Sequence, residues 1–267
     1  MSKILVMTDL HLVVPPETII DLSPAQRLAE GLAHAAKMHP DADHLVLTGD
    51  LTNEGTPAQY AVLKLLLADL PWPVTMLMGN HDLREPFRAS FPDAPVTEDG
   101  FVQAVIDLPD VRLITLDTLD TEAEVLHSGV LCPARLNWLK AALDGAEGKP
   151  CLVFLHHPPF DTGFNGMDGI GLTNAPELLA LTAEYNVRHL FAGHIHRTIT
   201  ATVAGQSMTV FKSTCHQMPM LLGQEGFGHS VPEPGAYGII LTRGEDVIVH
   251  TEDFTLPAME NKDFEAH

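Results

Sequence analysis

The stretch VTMLMGNHD, residues 74–82, decides how the chain folds. A short apolar run is followed directly by a glycine and then by an amide, an imidazole and a carboxylate, at Asn80, His81 and Asp82. A strand that ends in a glycine turn delivers such side chains to the rim of a sheet, where open α/β folds keep their sites. The stretch therefore predicts a strand with a functional site at its carboxyl end.

Four other apolar runs end in the same way. Each gives way at once to residue types that donate O or N atoms to a divalent metal. Residues 4–7 lead to Asp9-Leu10-His11, residues 44–47 to Gly49-Asp50, residues 151–155 to His156-His157, and residues 188–191 to Gly193-His194-Ile195-His196. Any one ending has an ordinary explanation, because a histidine beside a strand is usually structural and Gly-Asp is a common turn. Together they predict strand ends that converge on one metal centre.

The segments between the first three runs indicate an α/β fold. Ser23-Pro24-Ala25-Gln26 and Thr56-Pro57-Ala58-Gln59 both have the form of an N-terminal capping box with proline at the first helical position. The two helices are expected to reach Met38 and Leu70. They alternate with strands at residues 3–7, 44–47 and 74–78, which is the βαβ pattern of a parallel sheet.

The rest of the chain predicts a second sheet. Residues 101–108 and 111–118 read as a hairpin around Pro109-Asp110, after a proline-broken stretch at 83–99 with a weak helical signal. Pro133 and Pro176 open helices that run to Leu143 and to about Tyr185. Further strands are expected at 151–155, 188–192, 198–203, 208–211, 236–242 and 246–251. Without a repeat or a linker, residues 1–267 are expected to form one domain, an α/β sandwich with a polar tail that frays from about Pro257.

Charge limits the partners of the chain. Its 267 residues include 15 basic and 35 acidic side chains, which give a formal net charge of −20. This field repels polyanions, so nucleic acid polymers and anionic membranes are excluded as expected partners. A phosphate ester would be repelled as well, unless bound cations reverse the sign of the local potential.

The cysteines and the hydropathy indicate a soluble cytoplasmic protein. Cys132, Cys151 and Cys215 cannot all pair and lack the spacing of a metal finger, so a reducing compartment is the simpler interpretation. The apolar run at the N-terminus is too short for a signal peptide, and no segment approaches the roughly 20 apolar residues that span a bilayer.

The ordered set of motifs resembles the calcineurin-like metallophosphoesterase superfamily. The finer resemblance is to bacterial class III cyclic-nucleotide phosphodiesterases and the related glycerophosphodiesterases. It lies in Thr8-Asp9-Leu10-His11, Gly79-Asn80-His81-Asp82, His156-His157-Pro158-Pro159-Phe160 and Gly193-His194-Ile195-His196-Arg197. The resemblance implies a four-layer α/β/β/α sandwich and a hydrolase that uses a binuclear metal centre.

Carried over residue by residue, the resemblance assigns the ligands of two metal ions. The first ion would be held by Asp9, His11, Asp50 and His196, and the second by Asp50, Asn80, His156 and His194, with Asp50 bridging. A carboxylate can bridge two cations, and a neutral amide leaves its metal more Lewis-acidic. Mixed O and N donors suit manganese, iron, cobalt or zinc, as divalent or mixed-valence pairs, and do not choose among them.

The implied chemistry is attack of a metal-bound hydroxide on a P–O ester bond. Two cations roughly 3.5 to 4 Å apart lower the pKa of a shared water and clamp the phosphoryl oxygens. His81 would face the phosphate, where an imidazolium stabilises developing charge or protonates the leaving alkoxide. The alternative is that His81 only buttresses its turn. His157 and His216 are expected either to orient ligands or to be structural histidines.

The motifs are compatible with several classes of substrate. The expected substrate is a small diester, such as a cyclic nucleotide or a glycerophosphodiester, and Arg84 and Arg197 are the only cationic candidates near the motifs for a terminal phosphate. A phosphomonoesterase with the same site, a phosphonate ester as substrate and a non-catalytic scaffold are the alternatives.

Two loops carry further expectations. The loop at 158–174 is expected to border the substrate pocket, where Phe160, Phe164 and Met167 would contact the substrate or pin the loop to the core. The apolar patch Met218, Met220, Leu221 and Leu222 fits a subunit contact of a homo-oligomer, a lid or core packing equally.

Overall fold

The structure is a computed structural model that describes residues 1–224 and 229–256. Within them the elements follow in the order β1 (Lys3–Met7), α1 (Pro24–Met38), β2 (His44–Thr48), α2 (Pro57–Leu66), β3 (Val74–Leu77), α3 (Arg84–Ser90), β4 (Ala104–Asp107), β5 (Arg112–Thr115), α4 (Pro133–Asp144), β6 (Cys151–Phe154), α5 (Asn165–Asp168), α6 (Ala175–Thr182), β7 (Val187–Ala192), β8 (Ile199–Val203), β9 (Gln206–Val210), β10 (Tyr237–Arg243) and β11 (Asp246–Glu252). The tail expected to fray from about Pro257 lies outside the described residues.

The first sheet has the parallel core that the N-terminal third predicts. Its strand order is β11-β10-β1-β2-β3, with β1, β2 and β3 parallel and β10 antiparallel to β1. Both predicted caps are confirmed, since the Ser23 and Thr56 hydroxyl oxygens accept from the backbone N–H of Gln26 and Gln59, each at 3.3 Å. The prediction for α2 was too long, because the helix ends at Leu66 ahead of Pro71.

The second sheet begins with the predicted hairpin. Its order is β4-β5-β6-β7-β9-β8, in which β4 pairs with β5 antiparallel and β5, β6 and β7 run parallel. The last four strands divide between the sheets: β8 and β9 complete the second sheet, whereas β10 and β11 return to the first. The short helix α3 forms in the stretch at 83–99, where the helical signal is weak, and α5 forms in the loop at 158–174, where no helix was predicted.

Three apolar clusters separate the layers. Along β1 the side chains alternate, so that Ile4 and Val6 join the cluster between the sheets while Leu5 and Met7 join the cluster under α1 and α2. A third cluster lies under α4 and α6 on the outer face of the second sheet. This is the expected four-layer α/β/β/α sandwich. That residues 1–267 form one domain stays a prediction.

None of the helices in the described part of the chain combines the length and the apolar character that crossing a membrane requires.

The close packing between the sheets gives a test of the fold. A Cβ atom on Gly238 in β10 would lie 2.2 Å from Cε1 of Phe211, whose ring is buried and stacks on Phe191. We expect Gly238→Ala to lower the free energy of unfolding by about 1–3 kcal/mol, because the ring or the strand must shift. Urea denaturation measures the loss.

Gly169→Ala is the matched control, since nothing lies within 4 Å of its added Cβ, and it should change stability by less than about 0.5 kcal/mol. Equal midpoints for the two variants would contradict the packing.

Candidate metal centre

The predicted ligands from both sheets meet at one edge of the sandwich. The first predicted set, Asp9, His11, Asp50 and His196, is buried, and its candidate ligand atoms all lie within 4.8 Å of one another. Nε2 of His196 lies 3.2 Å from Oδ1 of Asp9 and 3.1 Å from Nε2 of His11. Oxygen and nitrogen donors at this density are the donor set of a transition-metal site.

The second predicted set adjoins the first through Asp50. Oδ2 of Asp50 lies 3.3 Å from Nε2 of His156 and 3.5 Å from Nε2 of His11, so one carboxylate oxygen faces a histidine of each set. Oδ1 of Asn80 lies 3.1 Å from the same His156 nitrogen. The His194 ring centroid lies 5.1 Å from that of His156. Asp50 therefore occupies the position from which a carboxylate could bridge two cations.

Two histidines are held with one ring nitrogen toward the centre. Nδ1 of His156 donates to the Thr48 carbonyl at 2.9 Å, and Nδ1 of His196 donates to the His216 carbonyl at 2.8 Å. Because a carbonyl can only accept, Nδ1 of each ring carries a proton, and Nε2 is the nitrogen left to face a metal. This is the usual way in which proteins orient a metal-binding imidazole.

Buried polar atoms without partners also mark the site. Among the described residues, Nδ1 of His11, Nε2 of His194 and Nδ1 of His216 are buried and form no hydrogen bond. Such atoms are rare in folded proteins and indicate a catalytic role or an ion. The donor set and these atoms fit a metal centre.

The turns that present the donors have left-handed backbones. The φ angle is 52° at Asp9, 45° at His11, 46° at Asp50, 72° at His194 and 54° at His196. Residues other than glycine seldom adopt positive φ, and such strain concentrates at functional sites. Gly193 directly precedes the turn that carries His194 and His196. No larger residue fits at this position, because a Cβ on Gly193 would lie 2.1 Å from Oγ1 of Thr8.

Asp82 joins two of the turns to each other. Its buried carboxylate accepts from the backbone N–H of Gly79 at 3.0 Å, of Leu51 at 3.1 Å and of Thr52 at 3.2 Å. It also accepts from the Tyr60 hydroxyl at 3.0 Å. The turn after β2 and the turn after β3 are thereby tied together. The sequence shows Asp82 in the motif, but its partners become visible only in the fold.

Charge within the site is balanced by an ion pair. Burial disfavours the charged form of both Asp50 and His156, but the attraction between them outweighs this effect. The pKa of Asp50 therefore lies well below its usual value, and the Asp50 carboxylate raises the pKa of His156 to about 9. By contrast, burial lowers the pKa of His11 well below its usual value. Binding of a cation by His156 must therefore displace a proton.

His81 lies at the rim and takes no part in the metal-binding clusters of the described residues. Its backbone N–H donates to Oδ1 of Asp50 at 2.9 Å, and its Nδ1 donates to the Asn53 carbonyl at 2.9 Å. The ring lines the cavity. It therefore supports the turn and also leaves Nε2 free to meet a ligand.

Three further histidines contact the predicted ligands. Both ring nitrogens of His157 are engaged, by Oγ1 of Thr118 at 2.7 Å and by the His127 carbonyl at 3.1 Å, so neither is free for a metal. His216 holds His196 through its carbonyl. His127 was not predicted, because it lies in a loop far from any strand end, yet it lines the cavity and stacks on His81 with centroids 5.3 Å apart.

A cavity of about 520 Å³ opens over these groups. Its polar lining includes His11, Asp50, Asn80, His81, His194 and His196. Its apolar lining, the apolar wall, consists of Ile19, Leu126, Met167, Ile170 and Met218. The loop at 158–174 does border the cavity, through Met167. Phe160 and Phe164 instead pack on the core under α4 and α6.

The patch at 218–222 divides in the same way. Met218 lines the cavity and packs on the core, whereas Met220, Leu221 and Leu222 are exposed. Core packing is therefore excluded for the last three residues.

Comparisons with known proteins point in one direction. The family profile described as calcineurin-like phosphoesterase matches residues 2–198. A probable cyclic nucleotide phosphodiesterase of Rhodopseudomonas palustris is 38% identical, over 94% of this chain and 92% of its own. The glycerophosphodiester phosphodiesterase GpdQ of Enterobacter lignolyticus is 30% identical, over 75% of this chain and 72% of its own. A dimetal phosphatase from Danio rerio has a similar fold, with a TM-score of 0.72 at 16% identity, covering 95% of this chain and 96% of that one.

The position of Asp50 predicts the effect of removing it. Asp50→Ala takes a donor from both sets, so we expect metal content after loading with Mn²⁺ and gel filtration to fall from two ions per chain to one or none. Elemental analysis by mass spectrometry measures it. Asp50→Asn retains an acceptor for the His81 N–H and separates loss of the bridge from loss of the turn. Asp41→Ala, which removes an exposed carboxylate paired with Lys3, should leave metal content unchanged. Two ions per chain in Asp50→Ala would refute the bridge.

Proposed function

The chain belongs to the calcineurin-like phosphoesterase family, and from this premise we propose that it is a binuclear metal-dependent phosphodiesterase acting on a small diester. The observation that carries the proposal is the Asp50 carboxylate, which faces His11 of one donor set and His156 of the other. Two bound cations would supply Lewis acidity, which makes hydroxide available near neutral pH and neutralises phosphoryl charge. Manganese, iron, cobalt and zinc all suit the donors.

The residues that would hold the cations are those of the two predicted sets. Asp9, His11, Asp50 and His196 would hold the first, and Asp50, Asn80, His156 and His194 the second. The buried unpaired ring nitrogens and the mixed donor types support this assignment.

His81 is the proposed acid. The Asn53 carbonyl fixes Nδ1 as a donor, so that Nε2 is directed away from it and the ring faces the cavity. From there a protonated ring can neutralise charge on the phosphoryl group or give a proton to the leaving alkoxide.

The arginines favour a diester over a monoester. Arg84 donates to both carboxylate oxygens of Asp117 at 2.7 Å, and Arg197 donates to both oxygens of Glu233 at 2.7 and 2.8 Å. Both guanidinium groups are thus engaged, and the cavity lining described above contains neither lysine nor arginine. A terminal phosphate would bring extra negative charge without a further cation, whereas a diester carries a single charge.

The apolar wall favours a cyclic nucleotide over a glycerophosphodiester. Leu126, Met167, Ile170 and Met218 offer a surface on which the face of a nucleobase can lie, while glycerol has little apolar area to bury. Both substrate classes occur in the names of relatives. The glycerophosphodiester remains the second candidate for that reason.

The proposal includes a location in the cytoplasm. All three cysteines are free, as expected in a reducing cytoplasm. The exposed apolar side chains of Met220, Leu221 and Leu222 are suited to a subunit contact in a homo-oligomer.

A panel of matched substrates tests the proposal. With Mn²⁺ present, we expect kcat/KM for bis(p-nitrophenyl) phosphate to exceed that for p-nitrophenyl phosphate by about 10-fold or more, which corresponds to ~1.4 kcal/mol in the transition state. Hydrolysis of 3′,5′-cyclic AMP should likewise exceed that of glycerophosphoethanolamine. Chelation followed by gel filtration should abolish all of these rates, and Mn²⁺ should restore them. Faster turnover of the monoester would overturn the choice of substrate, and full activity after chelation would overturn the proposal itself.

The role of His81 predicts a separation of activity from metal binding. His81→Ala should retain both metal ions and reduce kcat by ~10² or more, as expected when a general acid or charge stabiliser is lost. Steady-state kinetics and metal analysis on the same sample provide the comparison. His250→Ala, at an exposed position in β11, should match the unmodified enzyme. Loss of a metal ion from His81→Ala would identify His81 as a ligand, and undiminished kcat would leave it only the role of supporting its turn.

A further inference from the structure

A chain of hydrogen bonds runs from the loop after β5 to the amide of Asn80. Oγ1 of Thr118 lies 2.7 Å from Nδ1 of His157, and Nε2 of His157 lies 3.1 Å from the carbonyl oxygen of His127. Nδ1 of His127 then lies 3.0 Å from Nδ2 of Asn80. Thr118 and His157 are fully buried. The relay therefore connects the protein interior to the second proposed ligand set.

The direction of each hydrogen bond in the relay is determined. The His127 carbonyl can only accept, so Nε2 of His157 carries the proton and Nδ1 accepts from the Thr118 hydroxyl. The Asn80 amide nitrogen can only donate, so Nδ1 of His127 accepts from it. With its nitrogen held by His127, the amide turns Oδ1 toward His156, 3.1 Å from Nε2.

The loop that carries His127 is pressed against His157. His127 has a φ angle of 72°, in the left-handed region that few residues other than glycine adopt. Two residues on, a Cβ on Gly129 would lie 2.3 Å from Nδ1 of His157, so the loop approaches as closely as only glycine allows. The backbone N–H of Gly129 is in turn bonded to the Gly171 carbonyl at 3.1 Å. The backbone at His127 is therefore held by its own carbonyl, bonded to His157, and by the contacts of Gly129.

We propose that His127 is a positioning residue that holds the Asn80 amide with its oxygen toward the second cation. This inference rests on the proposed function, because it presumes that the second set binds a metal. An amide can rotate to present its NH₂ group, which would repel a cation, and a neutral oxygen is a weak ligand even when well placed. By accepting from that NH₂ group, His127 removes the unproductive rotamer, and Thr118 and His157 fix His127 itself.

Two substitutions at position 127 isolate this role. His127→Gly removes the ring and relieves the positive φ, so any effect is not due to backbone strain. His127→Asn restores an acceptor oxygen near the position of Nδ1, and asparagine tolerates a left-handed backbone. Val125→Ala, at an exposed position in the same loop, is the matched control.

The test is calorimetric titration of each metal-free protein with Mn²⁺, with circular dichroism to verify the fold. The unmodified protein should bind two ions in separable steps. In His127→Gly the second step should weaken by about 10- to 100-fold, as for other groups that orient metal ligands, while the first changes less than about threefold. His127→Asn should recover most of the loss, and Val125→Ala should show none.

The outcomes separate the two claims. An unchanged second step in His127→Gly, equal weakening of both steps, or no recovery in His127→Asn would overturn the role of His127 alone. Binding of no more than one Mn²⁺ per chain by the unmodified protein would instead refute the binuclear centre on which the proposed function depends.

Discussion

The site depends on one buried charge, the carboxylate of Asp50. An isolated carboxylate in a protein interior is strongly unfavourable, and it persists only where cations or hydrogen-bond donors surround it. Here Oδ1 accepts from the His81 N–H, and Oδ2 faces His11 and His156. Those partners come from different sheets, so the charge can be balanced only when the sandwich has closed. Folding and assembly of the site are therefore one event.

The same constraint explains the unusual local geometry. For side chains of both sheets to approach one carboxylate, the turns after the strands must come within van der Waals contact, which glycine at 193 permits against Thr8. The left-handed φ angles at Asp9, Asp50 and His196 are the local cost of that approach. The layers of apolar side chains under and between the sheets supply the stability that offsets this strain.

Much of this arrangement could be predicted from the sequence because it is encoded locally. Capping boxes, apolar runs and the donors that follow them lie within a few residues of one another. The strands and a sandwich of two sheets followed from these patterns, and the family resemblance implied its four layers. The placement of β10 beside β1 did not, since Lys3 pairs with Leu241 and no local signal joins them. His127 was missed for a related reason. Its role depends on a loop conformation that composition does not specify, and on partners in the loops after β5, β6 and β3. Asp82 was visible in its motif, but its role depends on backbone groups that only the fold brings to it.

The proposed metal ligands and the apolar lining of the cavity lie on different parts of the fold. The proposed metal donors lie at strand ends, which the sheets hold in place, whereas the apolar wall proposed to contact the substrate comes largely from loops. A related chain could therefore change its substrate by altering loops while its metal centre stayed the same. The loop containing Leu126 and His127 is an exception, because it contributes both to the apolar lining and to the support of a proposed metal ligand. Leu126 lines the cavity, and the next residue contacts Asn80. A change of conformation that altered the apolar wall there would also move the group that contacts Asn80, so the proposed substrate surface and the proposed second ligand set share this one loop.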